Sequence, residues 1–282
     1  MTRSSDISSR RRFQWGSLAA VGAGILIVVA AQALDGGTFS ALLQGPAALI
    51  VFGGTCAATL VSYSPSTVLD ALRAAARTFR EDVDDLDELS AQLVGLSIRA
   101  HRRGLLDLES EVDTLQDPFL RNGLALAVDG VSSEMLREAL NVERLAHEAR
   151  EEVPARVFEA AAGYAPTLGI LGAVLGLIRV MEHLATPAAL GSGIAMAFVA
   201  TVYGVGSANL LLLPMAARLR ERSAAASRRR DLITETLIDV QQRINPRLVA
   251  QKARVFANTL PRVDEIARQM RPSNDLLEDI YA

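Results

Sequence analysis

The chain has 282 residues, 50% of them hydrophobic and 22% charged, with a formal net charge of -3. Nearly charge-free blocks alternate with strongly charged ones, the pattern of a membrane bundle carrying a polar domain, and no domain-wide basic excess points to nucleic acid. The one cysteine, Cys56, excludes an internal disulfide framework, and His101, His147 and His183 stand too far apart for metal-ligand spacing. Cys56 lies inside an apolar run and is expected to be a small buried side chain.

Met1 to Arg12 is polar and basic, with Arg3, Arg10, Arg11 and Arg12. Gly16 to Leu34 carries no charge and is about the ~20 residues that cross a bilayer. Two readings compete for it. SRRRF followed by an apolar run and Ala31-Gln32-Ala33 resembles a twin-arginine signal with a cleavage site. Alternatively it is an uncleaved first transmembrane helix with Trp15 anchored at the inner interface. A second apolar span, Ser40 to Ser62, follows almost at once and favours the helix. Asp35-Gly36-Gly37-Thr38 is then the turn of a tight hairpin. Gly53-Gly54-Thr55, followed by Ala57, Ala58 and Thr59, gives the second helix a narrow packing face.

Pro65 opens a new helix with Ser64 as its cap, and Arg73, Arg77 and Arg80 follow. From there to about Pro154 the chain is polar, with heptad-like apolar positions at Val83, Leu86, Leu89 and Leu93. This predicts a helical domain without strands. The acid-rich run from Glu81 to Glu88 reads as a solvated helix face. Asp117-Pro118 marks one break, and Asp129-Gly130 marks another before a helix capped by Ser132 or Ser133.

The stretch from Gly163 to Pro214 organises the chain. Two apolar runs face each other across a short turn, and both place small residues at helical spacing. In the first, Ala165, Gly169 and Ala173 fall four apart, with Gly172 and Gly176 beside them. In the second, Gly193, Ala197 and Thr201 repeat the step, and Ala200, Gly204 and Ala208 do so one row over. Small residues at this spacing let helix backbones approach inside a bilayer. Six arginines between Arg218 and Arg230 follow, then an amphipathic stretch from Leu232 broken at Asn245-Pro246.

The short connections at 34–43 and 184–190 contain no lysine or arginine, which places them outside and both termini in the cytoplasm. The predicted fold is all-α: a polytopic membrane protein with four transmembrane helices and a helical cytoplasmic domain. Its segments are a cytoplasmic N-terminus (1–14), a transmembrane hairpin (15–63), a cytoplasmic loop domain (64–158), a second hairpin forming the channel (159–216) and cytoplasmic C-terminal helices (217–282).

An ionisable residue at mid-span usually marks an ion path, and these spans contain none. Arg179, Glu182 and His183 cluster at the outer end of the third helix, where they can snorkel or pair. A titrating carboxylate for ion movement must therefore come from another chain. The best polar group in the spans is Thr201, on the small-residue face where a partner helix would dock; Tyr203 and Asn209 are weaker candidates. Pro166 and Pro214, near the inner start of the third helix and the inner end of the fourth, each remove a backbone donor. They read either as helix punctuation or as weak points linking the membrane part to the cytoplasmic domain. GVGSAN, from Gly204, sits mid-helix with no strand before it, which excludes a dinucleotide turn. No phosphate loop and no nucleophile motif occurs, so no enzyme, no cofactor and no metal site is expected.

GYAPTLGILGAVLGLI and GIAMAFVATVYGVGSANLLLLP closely resemble the third and fourth membrane helices of the MotA/PomA flagellar motor stator family, with its MotC branch nearest. LIVFGGTCAATLVS, RRGLLDLE, DGVSSEMLREAL and LITETLIDVQQRINPR extend the resemblance over most of the chain. It implies a proton- or sodium-driven stator subunit of the bacterial inner membrane. Several copies ring two copies of a MotB-like partner, whose transmembrane helix supplies an essential aspartate, and the loop pushes on the rotor protein FliG. Pro166 and Pro214 match the family's coupling prolines, and Thr201 matches the threonine facing the partner's aspartate. Ala173 stands where sodium-driven members carry a second threonine, which points to protons. Glu109 matches the rotor-facing acid. The rotor-facing arginine is expected at position 101, where this chain has His101, with Arg102 and Arg103 next to it. Two other readings are an ExbB/TolQ-like energiser, against which the N-terminal hairpin argues, and a passive membrane scaffold.

Overall fold

The structure is a computed structural model that describes residues 22–24, 26–27, 30, 34, 43–78, 86–183, 185 and 187–256. Trp15, the turn at Asp35–Thr38 and the acidic residues Glu81–Asp85 lie outside the described residues. Of the first expected span, Gly22 to Gly24, Leu26, Ile27, Ala30 and Leu34 are helical. Among the described residues all regular structure is helical.

The elements are α1 (Gly45–Ala48), a π turn (Leu49–Gly53), α2 (Gly54–Ser62), α3 (Pro65–Thr78), α4 (Leu86–Arg103), a 3-10 turn (Leu105–Leu108), α5 (Glu109–Val112) and α6 (Pro118–Val128). Then come α7 (Ser133–Glu182), α8 (Pro187–Ser207), a second π turn (Ala208–Leu212), α9 (Leu213–Gln241) and α10 (Pro246–Phe256). Among the described residues, three stretches are long and apolar enough to cross a membrane: Gly45–Ser62, and windows within Ser133–Glu182 and Leu190–Gln241.

Local chemistry sets the boundaries. Ser64 Oγ accepts from the Thr67 amide (3.3 Å) at the start of α3. Asp117 Oδ1 accepts from the Phe119 and Leu120 amides (2.9 and 3.2 Å), and Pro118 fills the first helical position of α6. Ser132 is the cap of α7, its hydroxyl accepting from the Met135 amide at 3.3 Å. α9 ends where Arg243 takes a φ of 54°, and Asn245 Oδ1 then accepts from the Arg247 amide (2.9 Å) as Pro246 opens α10.

Pro166 does not begin a helix. α7 runs through both Pro154 and Pro166 for 50 residues. Each proline forfeits one backbone bond, yet the helix continues because Ala161, Ala162, Ala165 and Gly169 are buried along one flank.

The chain divides into two compact units, Met1–Val83 with Glu151–Ser223, and Asp84–Arg150 with Ala224–Ala282. α3 therefore groups with the apolar helices, not with the rest of the loop. In the first unit, Ala47 and Val51 pack on Met196, Val199 and Ala200 of α8, while Ala162 and Ala165 of α7 pack on Ala208. Its outer surface is apolar: Ile170, Leu175, Ile178 and Met181 of α7 are exposed, as expected of side chains facing lipid. The second unit has an ordinary soluble core. Leu93, Leu96, Leu120, Leu124, Leu136, Leu140, Ile233 and Leu237 are fully buried in it.

Candidate functional site

The apolar half of α7 and α8 meet along a seam that has no room for side chains. A β-carbon on Gly176 would lie 2.8 Å from the Ala197 amide nitrogen and the Gly193 carbonyl oxygen. One on Gly193 would meet the Gly176 carbonyl at 3.0 Å. Two turns inward, a β-carbon on Gly169 would lie 2.9 Å from the Ala200 oxygen, and one on Gly204 only 2.5 Å from the Ala165 oxygen. Gly172 meets Ala200 side chain to backbone, with 2.7 Å to the alanine β-carbon. The four-residue spacing thus brings two backbones into direct contact, the arrangement that stabilises helix pairs in lipid through dispersion.

This packing corrects one expectation. The row Gly193, Ala197, Ala200, Gly204 and Ala208 is buried against α7, so it is not the face offered to a partner helix. Thr201 stands at the edge of the row on exposed surface beside Phe198, Val202 and Val205. Its hydroxyl donates to the Ala197 carbonyl at 3.3 Å. The proton is used within the helix, and the oxygen lone pairs remain open to a donor. Ala173 is half-buried on α7.

The two prolines flank one packed cluster. Pro166 follows buried Ala165, and its Cα lies 3.2 Å from where a Gly204 β-carbon would be. Ala162 and Ala165 pack on Ala208 and Leu212 of the second π turn, and Pro214 comes two residues later, exposed. A π turn widens the helix by one residue and is often found at functional sites. Sequence reasoning missed both π turns, and nothing in LIVFG or ANLLL signals them. Tyr203 is structural: its hydroxyl accepts from the Gln44 amide (3.3 Å) and its ring sits 5.5 Å from Phe52. Asn209 donates to the Val205 carbonyl within the helix at 2.9 Å. Cys56 is exposed, where a buried thiol was expected, because its face of α2 opens onto a cavity. Among the described residues no cluster of His, Cys, Asp or Glu has metal-binding geometry.

His101, Arg102, Arg103 and Glu109 are all exposed and close together in the second unit. α4 ends in the three basic residues, Gly104 turns the chain at a φ of 92°, and the 3-10 turn delivers Glu109. Only glycine takes that φ without strain. Arg103 pairs with Asp107 at 3.9 Å, and Arg99 forms a close ion pair with Glu111 behind the exposed residues. This pair braces the turn and was also missed; its signal is an arginine five residues before Gly104 and an acid seven residues after it.

Elsewhere in the second unit, Arg144 holds α7 to α9 through Asp231 (3.2 Å) and Ser227 (3.3 Å), and Arg137 pairs with Glu235. Burial pushes the Asp231 carboxyl above its ordinary value, opposed by Arg144 and assisted by Glu148 and Glu235. The bond to Glu235 raises Arg137 further above its already high value.

Residues 111–231 match the MotA/TolQ/ExbB proton channel family. The chain is 34% identical over 234 residues to motility protein A of Bacillus subtilis, covering 83% of this chain and 86% of that one. The solved C. jejuni MotAB matches with a TM-score of 0.80 at 28% identity, over 86% of this chain and 95% of the other. The flagellar MotAB stator complex from Bacillus subtilis matches with a TM-score of 0.77 at 31% identity, over 93% and 97% of the two chains. With a relative this similar over nearly its full length, the chain belongs to the MotA/TolQ/ExbB proton channel family, in its motility protein A group.

Proposed function

We propose that this chain is an ion-conducting stator subunit of the bacterial flagellar motor. With a MotB-like partner, it couples proton flow across the inner membrane to torque on the rotor. It is a motor subunit and not an enzyme. The observation that carries the reading is the sealed α7–α8 seam with Thr201 at its open edge and no ionisable side chain at mid-span. Such a wall conducts nothing by itself, and an aspartate on a partner helix docked at Thr201 completes it. Several copies of this chain ring the partner's helices. Four spans place both termini in the cytoplasm, and Ala173, which offers no second hydroxyl to a dehydrated sodium ion, favours protons.

Torque then passes through the cluster at Pro166 and Pro214. Each proline frees a carbonyl four residues back, and the π turn beside Pro214 gives α9 a second place to flex. The exposed His101, Arg102, Arg103 and Glu109 are the contact for FliG, where charges act together on register and steering more than as single pairs.

Deleting the gene and inspecting flagella and swimming in the same cells tests the function. The stator reading expects complete flagella that do not rotate, restored by the wild-type gene. Normal swimming accompanied by loss of an outer-membrane transport process would establish an ExbB/TolQ-like energiser instead.

A further inference from the structure

We propose that α3 lies flat in the membrane surface and selects anionic phospholipid, with its exposed leucines among the acyl chains and its arginines at a headgroup phosphate. Only Tyr63 and Ser64 separate α3 from the apolar stretch Gly45–Ser62. Tyr63 is extended (φ -135°, ψ 148°), so α3 is not a straight continuation of α2. The Tyr63 hydroxyl donates to the Arg156 carbonyl of α7 (3.3 Å), and further along α3 Val68, Ala71 and Leu72 still surround one recess with Val157, Phe158 and Ala161. α3 therefore crosses α7 at the depth where α2 ends, instead of running down its length. At 14 residues, with Asp70, Arg73 and Arg77 among them, it is too short and too charged to span. The helical repeat divides it into three sides. Ala71 and Ala75 are buried. Leu69, Leu72 and Ala76 form an open apolar side, the two leucines 51% and 53% exposed. Arg73 and Arg77, one turn apart, form an exposed basic side next to it. Leu60 and Val61, the last apolar residues of α2, are exposed as well, so uncovered apolar surface reaches the turn from both directions. Leucines flanked by arginines at the end of a span are the pattern of a helix lying in the interface. Arginines four apart can share one phosphate, which takes bidentate donors. Asp70 holds Arg73 at 2.9 Å, but this exposed pair is worth little and yields to the phosphate.

The chain's one cysteine can be removed to give a single-label background. The full chain, carrying Cys56→Ser and a bimane label at Leu69→Cys, is placed in vesicles of phosphatidylcholine mixed with phosphatidylglycerol. Bromine is carried on the acyl chains of one lipid or of the other, and it quenches the label on contact. The expected result is quenching with phosphatidylglycerol enriched roughly fivefold at the label, the effect of one net positive charge at a membrane surface. Arg73→Gln with Arg77→Gln removes the enrichment and leaves the quenching, while Asp70→Asn increases the enrichment. Equal quenching by the two lipids, or enrichment that survives loss of both arginines, overturns the proposal. So does a label at Leu69→Cys that neither lipid quenches when one at Val61→Cys is quenched, which would mean that protein covers α3. The proposal rests on the reading of Gly45–Ser62 as a span, and absence of quenching at Val61→Cys would overturn that reading too. Motor function enters no arm of the test, so failure at α3 alone leaves the stator reading untouched.

Discussion

Gly204 sits so close to Ala165 that a β-carbon there would lie 2.5 Å from the alanine carbonyl oxygen, well inside van der Waals contact. The obstacle is backbone on a neighbouring helix, which cannot rotate away as a side-chain tip would. Gly204→Ala therefore forces α7 and α8 apart beside Pro166, at a cost of about 1–3 kcal/mol. The expected result is non-motile cells with reduced subunit in the membrane, read by swimming assay and immunoblot. Gly206→Ala, where nothing lies within 4 Å of the added carbon, is the matched control and stays motile.

Thr201 lies at the edge of that seam with its lone pairs exposed. Thr201→Val keeps the shape and removes the oxygen. Swimming speed should fall severalfold at unchanged membrane abundance, and Thr201→Ser should restore most of it. Unchanged speed in Thr201→Val would remove Thr201 from the ion path.

Arg99 and Glu111 brace the turn that presents the exposed charges of Arg102, Arg103 and Glu109, with side chains 38% and 23% exposed. Arg99→Glu places two acids together and should lower thermal stability and swimming. Arg99→Glu combined with Glu111→Arg should recover both. A half-exposed pair of this kind is worth on the order of 1 kcal/mol, so the recovery, more than the size of the loss, identifies the pair.

Asp231 has a folded-state carboxyl value raised by burial. An acid raised on folding binds its proton more readily in the native state, so its charged form opposes folding above that value. The penalty is absent below the ordinary carboxylate range and appears as pH rises through it. Asp231→Asn should therefore melt at the same temperature as wild type or higher at pH 7, with the difference shrinking toward pH 4. A variant whose deficit is greatest at pH 7 would mean that the Arg144 contact outweighs the burial.

Much of this was legible in the residues. Ser64 and Ser132 read as helix caps, and Asp117-Pro118 and Asn245-Pro246 as breaks, by chemistry that is local and therefore readable; the structure adds that Asp117 and Asn245 cap the helices after the breaks. Glycine and alanine four apart identify the seam, because the spacing itself fixes the face. What that face packs against is not local, and the row beside Thr201 turned inward to α7 instead of outward to a partner. Pro166 reads as punctuation or a weak point because its missing donor is visible in sequence, whereas the tertiary packing that carries α7 past it is not. The π turns and the exposure of Cys56 follow from how four elements fit together, and no residue type announces them. The Arg99–Glu111 pair lies twelve positions apart and becomes a contact only because Gly104 reverses the chain.

The central claim is that the membrane part is a sealed wall completed by a carboxylate from another chain. It is tested most directly by proton flux into vesicles containing this chain alone, this chain with its MotB-like partner, and this chain with the aspartate proposed for the partner's membrane helix changed to asparagine. Flux only in the second preparation is the predicted result. Flux through the chain alone, or flux that survives the asparagine, would contradict the account.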